Sequence, residues 1–97
     1  MADDLQLARA AREAALATEG VRRLGTGRWA EAATYGPGDK VSGVVVEPDE
    51  VEIHIVVGYP LVGSIPALAQ RVREKVSLIV GGRATTIVID DLEVDQV

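Results

Sequence analysis

The sequence predicts an α+β domain: a small, mostly antiparallel sheet of three to four strands with two helices packed on one of its faces. Three observations carry this expectation. Residues 4–18 and 65–80 repeat apolar side chains at helical spacing, and four other segments are short runs rich in Val, Ile and Thr. Gly and Pro clusters separate these segments, and no linker, internal repeat or low-complexity stretch interrupts the 97 residues. The whole chain, 1–97, therefore reads as one domain.

From Asp4 to Thr18 the apolar positions Leu7, Ala8, Ala11, Ala14, Ala15 and Thr18 share one side, opposite Gln6, Arg9, Arg12 and Glu13. Asp3 and Asp4 suit the positive end of this helix, and Gly20 permits a left-handed exit. A mostly alanine stripe allows close approach to a sheet while burying little area per residue. Val21 to Leu24 forms a short strand, and Gly25, Gly27, Gly36, Pro37 and Gly38 break the segment after it. Trp29 and Tyr35 lie in this broken segment, either packed against the body of the domain, which is the expectation, or standing out as a binding hot spot.

Val41–Glu47 and Glu50–Val57 flank Pro48-Asp49 and read as a hairpin. With Glu47 opposite Glu50, Val46 faces Val51, Val44 faces Ile53 and Ser42 faces Ile55, which gives the sheet one aliphatic face for the helices. Val41, Val45, Glu52, His54 and Val56 then fall on the second face, which is more apolar than full solvation favours. Ser64 caps the second helix, Pro66 occupies its first turn, and Ile65, Leu68, Ala69, Val72, Val76, Ile79 and Val80 form its buried stripe. Leu78 falls away from that stripe. After Gly81-Gly82, Ala84 to Asp91 makes the last strand, followed by an acidic end expected to fray.

Composition bounds the chemistry. The 47% hydrophobic content is almost wholly aliphatic, with no Phe and only three aromatic residues, Trp29, Tyr35 and Tyr59. A formal net charge of -5 repels phosphate backbones. There is no cysteine, so disulfides, thiolate nucleophiles and thiolate-bound metals are excluded. The acidic N-terminus lacks the pattern of a secretory signal, and no apolar run reaches the ~20 residues of a membrane span, so membrane contact is expected to be indirect or peripheral, without direct insertion.

No catalytic, cofactor or metal site is predicted. His54 is the only histidine, and a zinc site around it would need carboxylates for its remaining ligands. Glu47, Asp49, Glu50 and Glu52 lack the spacing of a calcium loop and read as a solvated hairpin tip. Asp90, Asp91, Glu93 and Asp95 supply carboxylates without a cleft to separate their pKa values. Gly25-Thr26-Gly27 and the Gly58–Gly63 loop match neither nucleotide-binding glycine pattern. Ser64 and Ser77 have no evident triad partners. The observation that would favour a small enzyme is a pocket lined by His54 and two carboxylates.

Several features together resemble the alkaline shock protein family of envelope stress response proteins: Glu19-Gly20-Val21 after a first helix, paired strands at Gly43–Val46 and Val51–Val57, Gly58-Tyr59, Ile65-Pro66, and Gly81-Gly82 before Thr86-Ile87-Val88-Ile89. The resemblance spans nearly the whole chain, and Ala33-Thr34-Tyr35-Gly36-Pro37-Gly38 is similar to the short forms of high-GC Gram-positive bacteria. It implies a non-enzymatic scaffold or interaction module in cell envelope homeostasis. It further implies a cytoplasmic protein that associates with itself or with a protein partner, in some members a membrane-anchored one. The family brings no catalytic residues and no cofactor. Val41, Val45 and Val56, extended by Leu78, are the expected association surface, being apolar yet outside the expected core stripe. The alternative is a small RNA-binding α+β module, which would need Arg22, Arg23, Arg28 and Arg83 to gather into one patch.

Overall fold

A computed structural model of the chain describes residues 3–29 and 31–94. Helix α1 spans Asp4–Leu16 and begins where Asp3 Oδ1 accepts the Gln6 N–H at 2.7 Å. Strands β1 (Val21–Leu24), β2 (Ala33–Gly36), β3 (Asp39–Ser42), β4 (Val44–Val46) and β5 (Glu50–Tyr59) come next. Helix α2 covers Ile65–Ser77, with Ser64 Oγ accepting the Ala67 N–H at 3.2 Å, and strand β6 closes the described chain at Ala84–Val94.

Strand β5 is the axis of a four-stranded sheet. Antiparallel β1 and β4 lie along one edge, β1 against Ile55–Val57 and β4 against Val51–Ile53. Parallel β6 runs along the other edge for the full length of β5. The β5–α2–β6 connection is thus a βαβ crossover, the one parallel pairing in a sheet otherwise antiparallel. Both helices sit on one face of this sheet, as predicted. Ala8, Ala11 and Ala15 of α1 and Leu68, Val72 and Val76 of α2 are fully buried against Val51, Ile53, Ile55 and Val57. Alanine on α1 lets its backbone come close, and α2 brings the larger apolar volume.

The hairpin register Val44–Ile53, Val45–Glu52 and Val46–Val51 is as expected. Ser42 departs from it. Gly43 takes φ +89°, and there the expected strand 41–47 divides. Its first part, β3, turns away to pair with β2 in a separate two-stranded sheet, Ser42 opposite Ala33, while Ile55 pairs instead with Leu24 of β1. A side chain at Gly43 would also meet the Gly25 carbonyl at 2.6 Å, so glycine is required for space as well as for conformation. Its own N–H donates to the Ala32 carbonyl and its carbonyl accepts the His54 N–H, both at 2.8 Å, which joins the two sheets at this residue.

This break corrects the placement of Val41. In an unbroken strand Val41 and Val44 point to opposite faces. The change of direction at Gly43 turns both into the core, where Val41 is 5% exposed. Neighbouring Thr34 is buried too and donates from Oγ1 to the Val44 carbonyl at 2.6 Å. The expected packing of Trp29 and Tyr35 is also overturned. They are 80% and 67% exposed, because the β2–β3 hairpin and its approach lie outside the main sheet, and α1 already occupies the apolar face.

Candidate functional site, a histidine between two carboxylates

On the sheet face away from the helices, the alternation of β5 places Glu52, His54 and Val56 side by side. Glu52 Oε2 lies 2.7 Å from His54 Nε2, and Asp90 Oδ1 of β6 lies 2.8 Å from His54 Nδ1. Asp90 reaches this position through an irregularity in the ladder. Ile55 pairs with Ile89 and Val56 with Asp91, so Asp90 is the extra residue of a bulge. Its second oxygen accepts the Gly27 N–H at 2.8 Å, and the Gly25 N–H donates to the His54 carbonyl at 2.8 Å. The loop after β1 is thereby tied to the cluster, and a Cβ on Gly25 would collide with the Asp90 carboxylate.

Carboxylates only accept hydrogen bonds, whereas a neutral imidazole has one N–H. With acceptors against both ring nitrogens, the imidazolium is the form that satisfies both contacts. His54 is 7% exposed. Burial alone pulls its pKa down and is the largest single influence, yet the hydrogen bonds to Asp90 and Glu52, with their charges, outweigh it and hold the pKa above the ordinary histidine value.

The arrangement is a closed clamp. A general base or nucleophile partner needs one ring nitrogen directed at a reacting group, and a metal ligand needs one free lone pair; here both nitrogens are engaged within the protein. An open cleft of about 490 Å³ lies between the start of β1 and the turn after β5, lined by Glu19, Arg22, Gly58, Leu61 and Arg71 among others. A second, of about 410 Å³, lies between α1 and β3. His54 and its carboxylates line neither. So His54 does stand between two carboxylates, and neither of these two clefts reaches it. Among the described residues no group of three or more His, Asp or Glu is arranged to hold a metal ion.

Asp90 and Asp91 lie in β6 as expected, Glu93, expected on the frayed end after it, belongs to β6 too, and Asp95 lies outside the described residues. Glu93 accepts from Arg23 Nη2 at 2.6 Å, a hydrogen bond that lowers the Glu93 pKa. The expected solvated tip is also partly engaged, since Thr86 Oγ1 donates to Glu50 Oε2 at 2.8 Å. Sequence reasoning misses Asp90 as a partner of His54. The one available signal is an Asp-Asp pair interrupting an apolar strand, because bulges commonly form where a ladder ends or re-aims a side chain.

The four residues of the expected association surface do not come together. Val45 is half-buried on the outer face, Val56 on the same face is 2% exposed, Val41 is in the core, and Leu78 is 88% exposed at the end of α2 on the helical side. The arginine patch is dispersed as well. Arg23 pairs opposite Val56, whereas Arg83 donates to the Glu47 carbonyl at the Glu50 end of β5, about 20 Å away at 3.3 Å per residue. Among the described residues no helix is long and apolar enough to cross a membrane. Comparison of the chain with protein-family models, with curated proteins and with solved structures returned no match.

Proposed function

We propose that this chain is a non-enzymatic interaction or scaffold module of the kind found in envelope stress response proteins, acting from the cytoplasm through itself or a protein partner, which is membrane-anchored where the envelope is concerned. The observation that supports it most directly is the exposure of Trp29 and Tyr35, at 80% and 67%. Exposed large aromatics on a small hairpin (Tyr35) and on the turn leading into it (Trp29) are the residue types and the setting of interface anchors, since each ring desolvates a large area at little cost in side-chain entropy. The closed His54 clamp is consistent with this reading, because it leaves no ring nitrogen to serve a substrate.

Crosslinking in the native cell followed by affinity purification tests the proposal, with Trp29→Ala and Tyr35→Ala run beside the wild type. The expected result is a reproducible set of crosslinked proteins, including an envelope component, that falls severalfold in the aromatic variants while folding is unchanged. A wild type that captures nothing above a control of equal abundance, in a cell whose tolerance of cell-wall stress does not depend on the gene, would overturn it.

A further inference from the structure

Two glycines shape the larger cleft. The Gly58 N–H, near the end of β5, donates at 2.9 Å to the carbonyl of Gly20, which precedes β1, and so pins the two strand ends together. Gly20 takes φ +102°, and a Cβ there would meet Leu61 Cδ1 at 2.9 Å, so its bare backbone admits the leucine. A Cβ on Gly58 would meet Arg22 Nη2 at 3.0 Å and Nε at 3.1 Å, so the Arg22 guanidinium lies over bare backbone as well. One glycine thus makes room for an aliphatic group and the other for a cation. Helix α2 adds a second guanidinium, Arg71, which is exposed and, among the described residues, has no ion pair or side-chain hydrogen bond. Arg22 keeps a contact of its own within the protein, and a guanidinium has several N–H donors to share. Pro60 and Val62 line the cleft beside Leu61, and Val62 is 84% exposed. Glu19 is the one acid lining it among the described residues. Glu93, opposite Gly58 on β6, feels the charge of Arg22 but is hydrogen-bonded to Arg23.

We infer that this cleft binds a carboxylate borne on a short aliphatic group, the anion against Arg22 and Arg71 and the aliphatic part on Pro60, Leu61 and Val62. Charge and shape select that class. The planar fork of a guanidinium matches the two oxygens of a carboxylate. Two arginines against Glu19 balance a single negative charge. Phosphate brings more charge than that and meets Glu19 as a like charge, and the net charge of -5 repels polyanions at longer range. An anion with no aliphatic part would leave Pro60 and Val62 in water. The volume of about 490 Å³ falls within the ordinary range of small-ligand sites. A free short-chain acid and the C-terminal leucine or valine of a polypeptide present the same chemistry.

The site uses neither Trp29 nor Tyr35, so its test and the crosslinking test of those rings succeed or fail separately. The test titrates the full chain with isocaproate, followed by amide NMR and calorimetry. Saturable shifts are expected at Gly20, Gly58 and Val62, with a Kd of about 1 mM. The neutral amide of isocaproate, and inorganic phosphate at equal ionic strength, are expected to leave those amides in place. Arg71→Gln alters an exposed side chain and is expected to weaken binding about tenfold with the fold unchanged, the factor for one lost charge-assisted hydrogen bond. Glu19→Gln is expected to tighten binding severalfold, a gain that damage to the fold cannot produce. A second arm uses a short peptide ending in leucine, as the free acid and as the terminal amide. Tighter binding of the peptide acid than of isocaproate assigns the site to a polypeptide terminus, and the reverse order assigns it to a free acid. No saturable shift with either acid overturns the inference. So does equal binding of the acid and its amide, equal binding of phosphate, or an affinity that Arg71→Gln leaves unchanged.

Discussion

On one face of β5, Val51, Ile53, Ile55 and Val57 are wholly buried under two helices; on the other, each one residue along, Glu52 and His54 meet Asp90 in a cluster of charge. The first face is held by removal of apolar area from water, which is indifferent to pH and loses strength in proportion to volume removed. The second is held by donors and acceptors matched one to one, so its strength depends on protonation and on every partner being present. A single strand thus carries a robust face and a conditional one. Substitutions on the two faces should differ in kind as well as in size.

Ile53→Ala is the largest expected effect. It empties a fully buried site beneath both helices, and a cost of about 2–5 kcal/mol is expected, read as a fall in the urea midpoint that is the same at acid and alkaline pH. A cost that changed markedly with pH would break the distinction between the faces. Asp90→Ala comes next. It strips an acceptor from His54 Nδ1 and from the Gly27 N–H together, leaving two donors to find water or go unpaired. A loss of about 1–3 kcal/mol is expected, with faster amide exchange at Gly27 as the local sign that the loop after β1 has come free.

How much of each face is legible in the sequence depends on the range of the interactions. The inner face needs only local information: helical spacing in 65–80, alternation in 50–57 and a turn at Pro48-Asp49 fix which residues go in, and the register of β4 on β5 results. Glu52 beside His54 is local too, two residues apart on one strand. Asp90 is not. It meets His54 only because β6 returns parallel through α2 and slips by one residue at a bulge, and neither the crossover partner nor the slip is written in the spacing of 84–94. Gly43 shows the same limit. A glycine between Ser42 and Val44 is visible in the sequence, but its positive φ depends on β3 leaving the sheet to join β2, and that moves Val41 from the expected outer surface into the core. Trp29 and Tyr35 are expected inside because large rings usually are; what decides otherwise is that α1 has taken the apolar face.

The smallest expected effect separates the faces most cleanly. His54 is flanked by Glu52 from β5 and Asp90 from β6; the loop after β1 contributes backbone amides, and Val45 on β4 and Val88 on β6 are apolar. Because its folded pKa lies above the unfolded value of about 6.5, the folded state binds this proton more tightly than the unfolded chain does. The contribution is complete below that unfolded value and drains away as pH rises through the folded one. Deprotonation forfeits one of the two ring contacts and sets a bare nitrogen lone pair against a carboxylate, while the other contact and the loop bond to Asp90 persist. The loss is therefore expected to be smaller than that of Asp90→Ala. Urea midpoints should fall in the wild type as pH rises above the unfolded value of about 6.5 and through the raised folded one, and hold nearly level in His54→Gln, with the ring titration tracked by NMR to place the folded pKa. Equal pH dependence in the two proteins would mean that the outer face is not governed by this imidazolium.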